Sequence, residues 1–132
     1  MAVNIDPIFP VTPQTEHARI STANTNRDGT GTIVDVYTAG ANGSRVDKVI
    51  LQGIGTTAAG VIRLFYYDGT NYRLFFEQLV SAITPSGTVI ANYYSINNTD
   101  GTPICYLPVN CKLSAAPNNS ETWEVYCLGG DY

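Results

Sequence analysis

Val61-Ile-Arg-Leu-Phe-Tyr-Tyr67, then Asp68-Gly-Thr-Asn71, then Tyr72-Arg-Leu-Phe-Phe-Glu-Gln-Leu-Val80 is the stretch that decides the fold. It is the densest aromatic and β-branched run of the chain, and it is split by a turn signal. Side chains of a strand alternate between faces. An odd loop of three or five residues therefore sets Ile62, Leu64 and Tyr66 on one face with Tyr72, Leu74 and Phe76, whereas an even loop misplaces one of the two sets. The expectation is a hairpin with an odd loop and a left-handed Gly69. Its second face carries Val61, Arg63, Phe65, Arg73, Phe75 and Glu77. In the five-residue-loop register Arg63 lies opposite Phe75 and diagonal to Glu77. A face both apolar and charged needs a cover, either a loop or another subunit.

Outward from this hairpin the chain continues in short strand-like runs. Upstream lie His17–Thr22, then Thr32–Thr38 with Val34 and Val36 inward, then Arg45–Ile54 with Val46, Ile50 and Ile54 as one face. The turn-rich segments Asn24–Gly31 and Ala39–Ser44 separate them. Downstream lie Thr88–Ile96, Ile104–Leu107 and Lys112–Ala116. Thr122–Leu128 closes the fold with Trp123, Val125 and Cys127 on one face, and residues 129–132 form a tail. Pro108 confines its segment to an edge or a bend. No segment carries helical periodicity over three turns. Eight or nine short strands at regular spacing predict an all-β protein, an antiparallel sandwich or barrel; the expected fold is an antiparallel β-sandwich, jelly-roll-like, a type that fits the strand count as other Greek keys do.

Residues 1–16 read as an extended N-terminal arm, and residues 17–132 as one β-sandwich domain. Pro7, Pro10 and Pro13 recur every third residue, a spacing that suits polyproline II. Ile5, Ile8, Phe9 and Val11 are too apolar for a dangling tail. Extended, the arm spans about 50 Å at ~3.3 Å per residue. Pro7, Ile8, Phe9, Pro10 and Val11 are the expected contacts with a neighbouring subunit, the equal alternative being a leader packed on its own domain or a disordered end. Phe65, Tyr67 and Phe75 are the expected intersubunit face.

Composition narrows the function. The chain has 132 residues, 44% of them hydrophobic but only 14% charged, and a net charge of −4. A length of this order buries enough surface to fold as one domain without metal or disulfide. A polar surface built from Thr, Asn, Ser and Tyr suits close contacts with other proteins. No Lys/Arg cluster is present, which argues against phosphate-mediated nucleic-acid binding. No leader and no apolar run near 18 residues is seen, so no membrane partner is expected, and the protein is expected to be made in a cytoplasm.

Candidate chemistry is sparse. Cys105, Cys111 and Cys127 contain no Cys-x-x-Cys pair, and a zinc site would have to recruit the lone His17 from the far end of the chain. Buried thiols are the expectation, with a Cys105–Cys111 bridge as the alternative. Asp-Gly-Thr at Asp28, Asp68 and Asp100 offers one carboxylate per loop, too few for calcium, and reads as turns. Gly53-x-Gly55-x-x-Ala58 leads into a strand, not the helix that a dinucleotide site requires. His17 has no evident nucleophile or orienting carboxylate. No enzyme activity and no cofactor is expected. Three Asn-x-Ser/Thr sequons read as chance in an Asn/Ser/Thr-rich chain. Nine tyrosines, among them Tyr66, Tyr67, Tyr72, Tyr93 and Tyr94 beside loops, allow sugar stacking, but packing is the favoured reading.

Thr25-Asn-Arg-Asp-Gly-Thr-Gly-Thr-Ile33, Thr38-Ala-Gly-Ala-Asn-Gly-Ser-Arg45 and Gly55-Thr-Thr-Ala-Ala-Gly-Val-Ile-Arg-Leu-Phe65 with Asp68-Gly-Thr-Asn71 form a set. As a set they resemble small β-rich virion structural proteins of tailed bacteriophages and prophages, including small auxiliary capsid proteins of crAss-like phages. The resemblance covers residues 24–85 and extends loosely to the final Trp-Glu-Val and Gly-Gly-Asp. It implies a capsid decoration or auxiliary protein in the virion, made in the host bacterial cytoplasm. Such a protein self-associates, as a trimer, and binds the major capsid protein or other virion proteins. No catalytic residues come with it. A carbohydrate-binding module or a tail- or fibre-associated adaptor is the alternative.

Overall fold

The turn residues cut the chain into strands much as expected. The computed structural model describes residues 9–132, and among these it forms no helix and nine strands. They are β1 (Thr12–Ile20), β2 (Val34–Thr38), β3 (Ser44–Gly53), β4 (Gly60–Tyr67), β5 (Tyr72–Val80), β6 (Tyr93–Asn97), β7 (Cys105–Leu107), β8 (Lys112–Pro117) and β9 (Trp123–Asp131). All pairings are antiparallel. One sheet runs β1-β9-β3-β6, with β7 also on β3, and the other runs β2-β8-β4-β5. The two inner faces meet in a core of β-branched and aromatic side chains, among them Ile20, Tyr37, Val49, Leu51, Ile62, Leu64, Leu113, Trp123 and Val125. The molecule is an antiparallel β-sandwich.

Three bulges reset the side-chain alternation, and none was anticipated. On β5 the loop is even, the four residues Asp68–Asn71, with the Asp68 N–H donating to the Asn71 carbonyl at 3.1 Å. Tyr67 pairs with Tyr72 and Phe65 with Leu74, so Tyr72 and Leu74 fall on the outer face. One extra residue, Phe75, then shifts the register, and Phe76 comes opposite Leu64 on the inner face. The expected odd loop is thus replaced by an even loop plus a bulge, and Arg63 faces Glu77 instead of Phe75. Gly69 is left-handed as expected, with φ of 95°. On β3 a bulge at Asp47 turns Val49 and Leu51 inward beside Val46, in place of Ile50 and Ile54, and leaves Ile54 exposed. On β2 a shift between Asp35 and Tyr37 lets Val36 and Tyr37 both be buried.

Boundaries moved at both ends of the chain. Thr12–Glu16, expected in the arm, pair with β9 as far as Asp131. Gly129–Asp131, expected in a tail, form the other half of that pairing. Residues 88–92 do not extend β6. There a turn closes from the Ser86 N–H to the Val89 carbonyl, and the Asn92 amide is held by Thr57 and the Ser81 carbonyl.

Gly129 shows how tightly β3 and β9 approach. A Cβ at this position would overlap the Arg45 carbonyl oxygen. Beside it, the Asp131 carboxylate clasps three strands. It accepts hydrogen bonds from Gln14 on β1, Tyr37 on β2 (2.8 Å) and Ser44 on β3. Burial opposes its charge, yet the bonds from Ser44, Tyr37 and Gln14 outweigh that and hold its carboxyl below the usual range.

Candidate interaction surface

The second face of the central hairpin is the outer face of the β2-β8-β4-β5 sheet. Its cover is a loop of the same chain, residues 21–33 between β1 and β2. Asn24 organises that loop. Its amide donates to the carbonyls of Thr30 (2.9 Å) and Thr32 (3.1 Å), its side-chain oxygen accepts from the Asn26 N–H, and its backbone N–H donates to the Pro117 carbonyl. Arg63, only 3% exposed, anchors the loop from below. Its guanidinium donates to the Asn24 carbonyl (3.2 Å), to Asn118 Oδ1 (3.2 Å) and to Glu77 Oε1 (3.1 Å). Arg27 closes the far side on the same Glu77 oxygen. That bond, then the one from Arg63, holds the Glu77 carboxyl below its ordinary value.

This arrangement corrects one expected site. Phe65 is fully buried beneath the cover and outside the inter-sheet core, so it forms no part of an intersubunit face. Tyr67 is half-buried, 4.8 Å from the Tyr72 ring, with the Lys112 ammonium 5.2 Å from its centroid. The Tyr72 hydroxyl reaches across to Asp35 on β2 at 2.8 Å, and Asp35 also accepts from Ser114 and Lys112. Burial first, and then the Asp35 contact, pushes the Tyr72 hydroxyl up to about 12.

Phe75 does lie at an open surface, 38% exposed. It belongs to the edge of β5 that has no partner strand among the described residues, where Leu74, Phe76 and Leu79 are exposed as well. Across from it stands β6, the edge of the other sheet. The two edges are joined at one end, where the Tyr94 hydroxyl and the Asn92 amide bond Ser81. Beyond that junction they part. Phe75, Phe76 and Gln78 on one side and Ser95 to Asn98 and Ile104 on the other line an open groove of about 250 Å³. At the opposite side of the sandwich β1 packs against β2 and closes it. The neighbouring Phe75-Phe76 pair was the sequence signal for this groove. Ile96 and Ile104 gave none, because they come to it only through the topology.

Of the expected arm contacts, Pro7 and Ile8 lie outside the described residues. Phe9 and Val11 are largely exposed. The Val11 N–H donates to the Asp131 carbonyl at 2.8 Å, and Pro10 lies against Gly130, so the chain departs from the β1–β9 end of its sheet.

The groups weighed for catalysis and metal binding lie apart. His17 is an exposed residue of β1 beside Tyr126. Among the described residues no cluster of three His, Cys, Asp or Glu side chains is placed to hold a metal, and no helix is long and apolar enough to cross a membrane. The three Asp-Gly-Thr sequences form turns in which Asp28, Asp68 and Asp100 accept from the N–H of the residue two positions on. Cys105, Cys111 and Cys127 are free thiols. Comparison with protein-family models, with curated proteins and with solved structures gives no match.

Proposed function

We propose that this chain is a bacteriophage virion structural protein, a capsid decoration or auxiliary protein that self-associates as a trimer and binds the capsid shell. The observation that carries the reading is the β5 edge, nine residues long and without a partner strand among the described residues, with Leu74, Phe75, Phe76 and Leu79 exposed along it. Unpaired apolar edges invite pairing with another chain, and folded proteins ordinarily blunt them or bury them in an assembly. The strand order supports the same reading. Two facing paths, β1-β9-β3-β6 with β7 also on β3, and β2-β8-β4-β5, are compatible with a jelly roll, an architecture used by capsid and lectin domains. The low charge of the surface suits a tight fit to a protein shell. Fold alone does not assign a task, so the edge carries more weight than the topology.

Electron microscopy of purified particles tests the proposal. Density for this chain, as a three-fold cluster on the shell, is the expected result, and its absence from washed particles overturns it. The carbohydrate-binding or fibre-adaptor reading is favoured by one observation, the partly exposed Tyr67–Tyr72 pair beside Asp35 and Lys112. Both hydroxyls are already engaged, Tyr67 by the Gly69 carbonyl and Tyr72 by Asp35, which leaves fewer polar handles for a sugar. Binding on a glycan array, abolished by Tyr67→Ala, would support that second reading.

A further inference from the structure

The groove between β5 and β6 has the features of an acceptor for an added strand. One wall is an edge with no backbone partner among the described residues, and Phe76, Ile96 and Ile104 give the mixed lining of the groove its apolar part. An extended segment that adds to such an edge gains main-chain hydrogen bonds from the edge and burial from its alternate side chains. The chain contains a segment with that pattern outside the described residues. Met1, Val3 and Ile5 alternate with Ala2, Asn4 and Asp6, a period-2 pattern with one apolar face.

We propose that residues 1–6 of a second copy of this chain occupy the β5–β6 groove as an added strand. The inference rests on the self-association proposed above and gives it a donor and an acceptor. Distance argues for a second copy. The chain leaves its own body where Val11 bonds Asp131, at the β1 edge, whereas the groove opens at the β6 edge. Three strand spacings, about 14 Å, separate β1 from β6, and β5 lies in the other sheet about 10 Å away. From Val11 to residue 6 is five residue steps, at most about 17 Å when extended, short of the roughly 24 Å path round the body across three strand spacings and one sheet spacing. Donor and acceptor thus lie on opposite edges of the subunit. That is a heterologous contact, which produces a closed ring when the rotation between subunits allows. Three subunits would each donate once and accept once.

The full-length chain and two full-length variants test this by light scattering after size exclusion. Val3→Asp combined with Ile5→Asp disables the donor, and Phe76→Asp disables the acceptor. If Phe76→Asp does not fold, Asn97→Arg, at an exposed wall position, takes its place. The expected result is a trimer for the unaltered chain and a monomer for each variant, with unchanged circular dichroism. An equimolar mixture of the two variants should give a two-subunit complex, since one intact groove meets one intact donor. A trimer retained by the donor variant, or no pairing in the mixture, overturns the inference and leaves self-association standing. A monomeric unaltered chain overturns both.

Discussion

Replacing Arg63 by Met tests whether a buried cation fastens the loop of residues 21–33 to the sheet. Met keeps much of the apolar stem, so the loss is confined to the guanidinium. Two acceptors are then left beneath the cover without a donor, the Asn24 carbonyl and Asn118 Oδ1, both 3.2 Å from Arg63. Each buried unsatisfied acceptor costs about 1–3 kcal/mol. Glu77 keeps Arg27 as a partner and lies at the rim, where water can reach it. The loop is also near enough to solvent for water to enter and relieve part of the loss. About 3 kcal/mol is therefore expected in total, at the low end of what removing one member of a buried ion pair costs. For a domain of this size that lowers Tm by roughly 9–15 °C, on a scale of about 3–5 °C per kcal/mol. Thermal and urea unfolding followed by circular dichroism measure the cost. Trypsin cleavage after Arg27, inside the loop, reports the cover directly and should accelerate well before global unfolding. A Tm within about 2 °C of the unaltered protein, together with unchanged cleavage at Arg27, would refute the role assigned to Arg63.

Gly129→Ala should cost about 3 kcal/mol in urea unfolding, because a methyl group there meets the Arg45 backbone with no side chain to give way. Gly87→Ala, with open space around it, should stay within about 0.5 kcal/mol. Equal effects at the two positions would contradict the close approach of β3 and β9. The Asp131 and Asp35 carboxyls are held below their ordinary value of 3.8 in the folded protein. The stability they contribute is thus complete above that value and is lost as pH falls through the lower folded values. Tm should hold between pH 7 and about 5 and fall below about 4, while Asp131→Asn starts lower and falls less steeply; parallel curves would count against the clasp. Burial pushes the Cys105 thiol up to about 12 and raises Cys127 as well. A thiol reagent at neutral pH should label the folded protein slowly and all three cysteines quickly in denaturant, and rapid labelling of the folded form would contradict the burial of these thiols.

The sheet-forming segments were readable because their apolar residues are β-branched or aromatic and their ends carry Gly, Asn, Asp and Pro. Trp123, Val125 and Cys127 face the core as their alternation indicated. The bulges at Asp47 and Phe75 were not readable, because a bulge is a relation between two paired strands, β3 with the distant β9 and β5 with its hairpin partner β4, and leaves no mark on either strand alone. This is why Ile50 and Ile54 were assigned to the core in place of Val49 and Leu51. Arg63 and Phe65 were seen as a face in need of a cover, but the choice between loop and subunit turned on Asn24. Its side chain satisfies the loop's own carbonyls, so the loop can lie against the sheet without orphaned polar groups. Of the candidate site, the exposed Phe75 was visible from its place in the hairpin. The groove beside it depends on where β6 lies, which only the crossing connections decide.

The central position of the two last strands bears on synthesis. β9 separates β1 from β3, and β8 separates β2 from β4. Until residues 112–131 exist, the earlier segments possess the β4–β5 hairpin and the β3–β6 and β3–β7 pairs, but neither layer is joined up. A nascent chain must therefore wait on the ribosome with several adhesive edges bare, then close both layers almost at once. Such a chain is expected to fold slowly for its length and to depend on being kept apart from its copies until translation has passed Asp131.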